Sequence, residues 1–155
     1  MSRVDPLDLL AIEAELAEED RLVKDSVRRF VDAEVLPVIG RCFAEHRFPA
    51  ELIPGLAGLG VLGATIDGYG CAGLGKRAYG LICQELERGD SSLRSFVSVQ
   101  SSLVMGCIAS FGSDEQRERW LPSLRAGAAI GCFALTEQGT GQSERSRFET
   151  CRKRA

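Results

Sequence analysis

Only one stretch of this chain reads as a β-strand, the run Ile130 to Leu135 in "IGCFALTE", and it arrives near the end of 155 residues of mostly helical patterning. A lone strand cannot satisfy its own backbone hydrogen bonds, and even an isolated hairpin is marginal in water. The body of the molecule must therefore be helix packed on helix, and the strand must find partners elsewhere. The expected fold class is mainly α: five to six helices running into the first strand of a truncated β-domain.

The helices can be placed individually. From Glu18 to Leu36, the residues Val23, Val27, Phe30, Val31 and Val35 recur at three-to-four spacing, and Glu18, Glu19 and Asp20 put anions in the first turn. Pro37 is expected to stop this helix or bend it sharply, with a shorter segment from Val38 to Glu45 beyond. Pro49 opens another short helix containing Leu52, Ile53, Leu56 and Leu59, with Pro54 straining it. "GLAGLGVLGATIDGYGCAGLGK" then reads as a turn-rich connection holding one short extended piece, Val61 to Ile66.

Helix returns at Lys76–Arg88, where Tyr79, Ile82, Cys83 and Leu86 form an apolar stripe. Ser91 or Ser92 is expected to cap the next helix, "LRSFVSVQSSLVMGCIASFG", which is apolar or small almost all round and so reads as buried. Gly112 ends it. Ser113 with Gln116 forms a capping box for "DEQRERWLPSLRAG", closed by Gly127.

With 45% hydrophobic and 26% charged residues, the chain can bury a single compact core. No apolar run approaches the roughly 20 residues needed to span a membrane. The acidic start "MSRVDPLDLLAIEAELAEED" has no basic block followed by an apolar one, so no signal or transit peptide is expected and a cytoplasmic setting is the default. Six cysteines lie scattered with no CxxC pair, and His46 is the only histidine, so no metal site is expected. Several cysteines sit in apolar runs and read as reduced core thiols. Residues 144–155 carry five basic against two acidic side chains, on a body carrying 14 against 20. A basic tail on an acidic body is the pattern of an arm for nucleic acid. A dozen residues with one Phe and no partner motif read instead as a disordered end, with no nucleic-acid or membrane partner.

Two stretches carry site chemistry. "GYGCAG", Gly68 to Gly73, fits G-x-G-x-x-G, follows the strand-like "VLGATI" and precedes a helix, with Glu87 and Asp90 near the spacing of a ribose-binding acid. Against a dinucleotide site stands its setting of helix upon helix, where tight-turn glycines explain the stretch with fewer assumptions. "SSLRSFVSVQSSLVMG" is more specific. Arg94 is the only charged residue between Asp90 and Asp114, placed in a first turn where a cation opposes the helix dipole. Two readings stand: an arginine snorkelling to solvent, or a guanidinium aimed into a pocket to grip a carboxylate, with Ser95 and Ser98 adding hydroxyls.

"RSFVSVQSSLVM", "FGSDEQRERWLPSLRAG" and "IGCFALTE", in this order and spacing, resemble the acyl-CoA dehydrogenase family, and within it the glutaryl-CoA dehydrogenases. Upstream, "EEDRLVKDSVRRFVDAEVLPVI", "FPAELIPGLAGLGVLGATIDGYGCAG" and "YGLICQELERGDSSLRS" fit the same pattern, so the likeness runs from about Leu10 to Thr140. The resemblance implies an N-terminal α-helical domain over residues 1–128 and the start of a middle β-domain, truncated, over 129–143. Residues 144–155 form the basic tail.

It also implies FAD as cofactor and α,β-dehydrogenation of an acyl-CoA, with decarboxylation to crotonyl-CoA in the glutaryl branch. An electron-transferring flavoprotein would accept the electrons, and the intact enzyme would be a homotetramer, in the mitochondrial matrix if the form is eukaryotic. Arg94 with Ser95 matches the contact to the distal carboxylate of a dicarboxylic acyl group. Phe133, Leu135, Thr136 and Gly141 match the flavin-binding segment.

Where the family reads LTEP-x-x-GSD, this chain has "LTEQGTGQSE", and nothing beyond aligns. Glu137 does not match the family's catalytic base, which comes from a later region. No catalytic residue is therefore assigned, and the chain is expected to be an N-terminal fragment, inactive by itself. A helical module that binds a full-length relative is the alternative, with a dinucleotide-binding domain behind it.

Overall fold

The structure, a computed structural model, describes residues 12–132. The tail, Glu137, and the flavin-segment residues Phe133, Leu135, Thr136 and Gly141 lie outside the described residues. Among the described residues there is no strand and no helix long and apolar enough to cross a membrane.

A 3-10 turn, Ile12–Glu15, leads into α1 (Glu18–Phe30). A π-helical stretch, Val31–Val35, follows, and α2 (Leu36–Ala44) continues directly from it. The predicted stop at Pro37 does not occur. Proline lacks an N–H and crowds the preceding turn. Here it falls in the first turn of α2, just after the Leu36 amide has reached back five residues to the Val31 carbonyl. That widened turn carries the helix past the proline.

A 3-10 turn, Ala50–Leu52, and α3 (Ile53–Gly58) come next. Pro54 lies in the first turn of α3, where its missing N–H had no partner to lose, so the strain expected of it is absent. Residues 59–75 are turns and irregular loop. Val61, Leu62 and Ala64 are buried there, yet Ile66 N–H bonds to the Gly63 carbonyl and Leu74 N–H to that of Ala64. With no strand alongside to pair with, the expected extended piece closes on itself.

α4 (Lys76–Gly89) matches its predicted span to one residue. α5 (Ser91–Ser98), a second π-helical stretch (Val99–Met105) and α6 (Gly106–Phe111) form one continuous rod. Its cap is Asp90, not Ser91 or Ser92: the carboxylate accepts from the Ser92 and Leu93 amides at 2.9 and 3.1 Å. Nor is the rod buried all round. Leu93, Val97, Gln100, Ser101, Val104 and Met105 are buried, whereas α6 buries no residue and Phe111 is 86% exposed. α7 (Asp114–Arg125) begins with the capping box predicted from Ser113 and Gln116.

α4 is the central element, packed against α1, the first π-helical stretch and α5. The core gathers Val27, Val31 and Val35 from the first rod, Ile82 and Leu86 from α4, Leu93 and Met105 from the long rod, and Leu121 and Leu124 from α7. One carboxylate lies inside this packing. Glu85 is 1% exposed, receives both Arg28 Nε and Nη2 at 3.1 and 3.0 Å, and receives Arg88 Nε at 3.0 Å. Arg88 passes on to Asp32 at 2.7 Å. Charge and hydrogen bonds are thus satisfied together, as a buried carboxylate requires.

Candidate active-site face

α4 and α5 form a hairpin with only Asp90 between them, so the last turn of one faces the first turn of the other. The structure pairs Arg94 with Glu87 across this corner: Arg94 Nε donates to Glu87 Oε2 at 2.7 Å. Ser91 Oγ donates to the other carboxylate oxygen at 2.7 Å. The hydrogen bond from Arg94, then that from Ser91, holds the Glu87 carboxyl below the usual range, and Glu87 in turn pushes the Arg94 guanidinium further up.

Neither sequence reading of Arg94 describes this outcome fully. The guanidinium is tied down rather than waving in solvent, yet at 37% exposure it remains at the surface. Its two Nη groups have no hydrogen-bond partner among the described residues. They are the edge with which a guanidinium takes a planar carboxylate in two-pronged fashion.

Ser98 is four residues on from Arg94 and shares its side of the rod, half-buried. Ser95 is exposed and turned about 100° away from Arg94 by the helical repeat. Tyr79 and Cys83 precede Glu87 at eight and four residues along α4, and both lie near Arg94. Tyr79 Oη reaches Ser102 Oγ at 3.5 Å. Glu87, Cys83, Tyr79 and Ser102 are the members of this face that sequence reasoning missed. Tyr79, Cys83 and Glu87 stand at four-residue spacing on α4, but nothing in the sequence shows the corner that turns this side toward Arg94.

The second π-helical stretch ties two loops to the same rod. Ser101 Oγ donates to the Val61 carbonyl at 3.2 Å and accepts the Gly63 N–H at 3.0 Å. Next to it, Gln100 Nε2 donates to the Gly131 carbonyl at 2.8 Å, while Gln100 Oε1 accepts the Gly131 N–H at 3.0 Å. Ile130 to Cys132, the described part of the predicted strand, thus pairs with a side-chain amide rather than with another strand. Single-turn π-helical widenings of this kind recur at functional sites.

The remaining sequence candidates resolve differently. Glu87 and Asp90 are committed to Arg94 and to the α5 cap, so neither is a ribose-binding acid. "GYGCAG" follows turns, not a strand, and Gly68, Tyr69 and Gly70 all take positive φ, at 82°, 54° and 77°. It is a tight bend, and the dinucleotide context is missing. The bend does border a cleft of about 430 Å³ lined by Asp67, Tyr69, Ser110 and Arg117 among others, but Arg94 is not among them. The five cysteines among the described residues are free and less buried than expected. Of these only Cys42 is buried; Cys71, Cys83 and Cys107 are half-buried and Cys132 is exposed. Burial pushes the Cys71 thiol up.

Comparison with known proteins agrees with this architecture. The family model for the acyl-CoA dehydrogenase N-terminal domain matches residues 17–128. The mitochondrial short-chain specific acyl-CoA dehydrogenase of Homo sapiens is 36% identical over 139 residues, which is 89% of this chain and 34% of that protein. A glutaryl-CoA dehydrogenase from Mycobacterium smegmatis, solved in complex with FADH2, matches with a TM-score of 0.85 at 47% identity, covering 90% of this chain and 36% of that one. Butyryl-CoA dehydrogenase from Megasphaera elsdenii matches with a TM-score of 0.74 at 27% identity, covering 82% and 34%. The chain spans about a third of the length of these relatives. By its matched domain and its helical architecture, the chain belongs to the acyl-CoA dehydrogenase family.

Proposed function

We propose that this chain forms the N-terminal helical wall of an FAD-dependent acyl-CoA dehydrogenase of the glutaryl-CoA type. The observation that carries the reading is the open Nη edge of Arg94, held in place by Glu87 at the surface of the α4–α5 hairpin. Arg94 takes the distal carboxylate of a dicarboxylic acyl chain, with the Ser98 hydroxyl on the same side of the rod. The 47% identity to a glutaryl-CoA dehydrogenase supports this substrate class.

FAD, when bound, supplies the acceptor for the hydride leaving the β-carbon. Phe133, Leu135, Thr136 and Gly141 are the residues that would hold it. The observation bearing on fit is at the approach to them. Gly131 passes so close to the rod that a Cβ would lie 2.3 Å from Val104 Cγ1, while Ile130 and Cys132 on either side stay exposed. From Ile130 to Cys132 the chain therefore runs along the surface of the domain, a course that suits a planar, polar ring laid beside it.

The α-proton is taken by a carboxylate from outside these 155 residues, an electron-transferring flavoprotein receives the electrons, and the working enzyme is a homotetramer. These parts of the reading rest on family likeness. The test joins residues 1–140 in register to the remaining two thirds of the Mycobacterium smegmatis relative. The chimera is expected to oxidise glutaryl-CoA in preference to butyryl-CoA, and Arg94→Ala to erase roughly tenfold or more of that preference. An unchanged preference in Arg94→Ala would refute the assignment.

A second reading, a helical module that binds a full-length relative, is favoured by the exposure of Phe43 and Phe111, 81% and 86%. Co-elution of the chain with an intact family enzyme supports it, and the absence of a complex ends it.

A further inference from the structure

We infer that Gln100 is a positioning residue: its carboxamide is a two-point latch on Gly131 that fixes the direction in which the chain leaves the helical domain for residues 133–141. The inference rests on the flavin-facing reading of that segment. A primary carboxamide presents one N–H and one carbonyl side by side, the complement of the N–H and C=O that a single strand residue turns toward its neighbour in a ladder. Gln100 uses both on one residue, donating at 2.8 Å and accepting at 3.0 Å, and is itself only 4% exposed.

Core filling alone would call for an apolar side chain at this position. A buried amide is tolerated only when its hydrogen bonds are met, and here the two groups that meet them belong to one residue. Val104, four residues along the same rod, closes the other side. A Cβ on residue 131 would meet its Cγ1, Cγ2 and Cβ at 2.3, 3.0 and 3.2 Å. Gly131 is thus held between an amide that grips it and a branched side chain that excludes anything larger.

The latch is tested on the whole 155-residue chain by amide hydrogen exchange read residue by residue. The Gly131 N–H is expected to be protected in the native chain. In Gln100→Leu its protection falls about tenfold or more, while the amides of Leu93 to Val97 keep theirs.

Gln100→Glu supplies a readout that a purely structural role would not move. The protonated carboxyl can donate to the Gly131 carbonyl and accept its N–H, whereas the carboxylate can no longer donate. The latched form therefore raises that carboxyl's pKa, and Gly131 is protected at low pH and released as pH rises through the carboxyl's titration. Protection at Gly131 that survives Gln100→Leu, or that stays flat with pH in Gln100→Glu, overturns the latch. These readouts need neither flavin nor substrate, so they separate the two readings. Should the latch hold while Gln100→Leu leaves FAD affinity of the chimera unmoved, the flavin-facing reading of residues 133–141 falls and the latch stands.

Discussion

At the scale of single residues, the pairing of Arg94 with Glu87 has a titration that can be measured. The hydrogen bonds from Arg94 and Ser91 stabilise the ionised Glu87, so its folded-state pKa is depressed. The pair's contribution is then fully present above the ordinary glutamate value and fades as pH falls through the depressed one. Carbon-13 NMR of the Glu87 carboxyl is expected to show a low midpoint, which Arg94→Ala returns toward the ordinary range. An unmoved midpoint would show that the pair does not persist in solution. Glu85 makes a different case, because it is buried and its two arginines are half-exposed. Glu85→Ala is expected to cost about 1–3 kcal/mol in urea unfolding, less than for a fully enclosed ion pair because Arg28 and Arg88 can turn to water. Arg94 was legible in the sequence as a solitary charge in a small-residue helix. Its partner was not, because Glu87 lies on another helix and only the one-residue corner at Asp90 brings the two together.

At the scale of elements, periodicity located the helices and misjudged how they join. Val27, Val31 and Val35 gave the first rod its buried face, and the capping box of α7 stood exactly where Ser113 and Gln116 put it, because both signals are local. Ser113→Ala is expected to destabilise the chain by about 1 kcal/mol, measured by urea unfolding. The stop expected at Pro37 does not occur because the cost of a proline is that of breaking a regular helix, and a π-helical turn is not announced by composition. The same holds at Asp90. Serines at the start of α5 are sound caps, but the aspartate one position earlier reached both amides first. Val61 to Ile66 had the residues of a strand and no strand to lie against. What the sequence lacked in each case was the neighbour.

At the scale of the whole molecule, the described residues form a helical body whose apolar side chains are not all covered. Phe43, Phe111 and Ile130 stand exposed alongside a well-filled core. On the proposed function, the 155-residue chain carries one wall of a site whose other walls lie in other segments. Purified by itself, it is expected to emerge from gel filtration without a flavin absorbance band and to show no acyl-CoA turnover. A band that co-migrates with the chain would contradict this.

The widened turn from Val99 to Met105 holds two other segments at once. Ser101 grips the glycine-rich loop and Gln100 grips the exit, and the two grips are consecutive residues of a single turn. Loosening one hand shifts the wrist that serves both. Ser101→Ala should therefore be sensed at Gly131, and a thermodynamic cycle built from the two substitutions should fail to add, by about 0.5 kcal/mol or more.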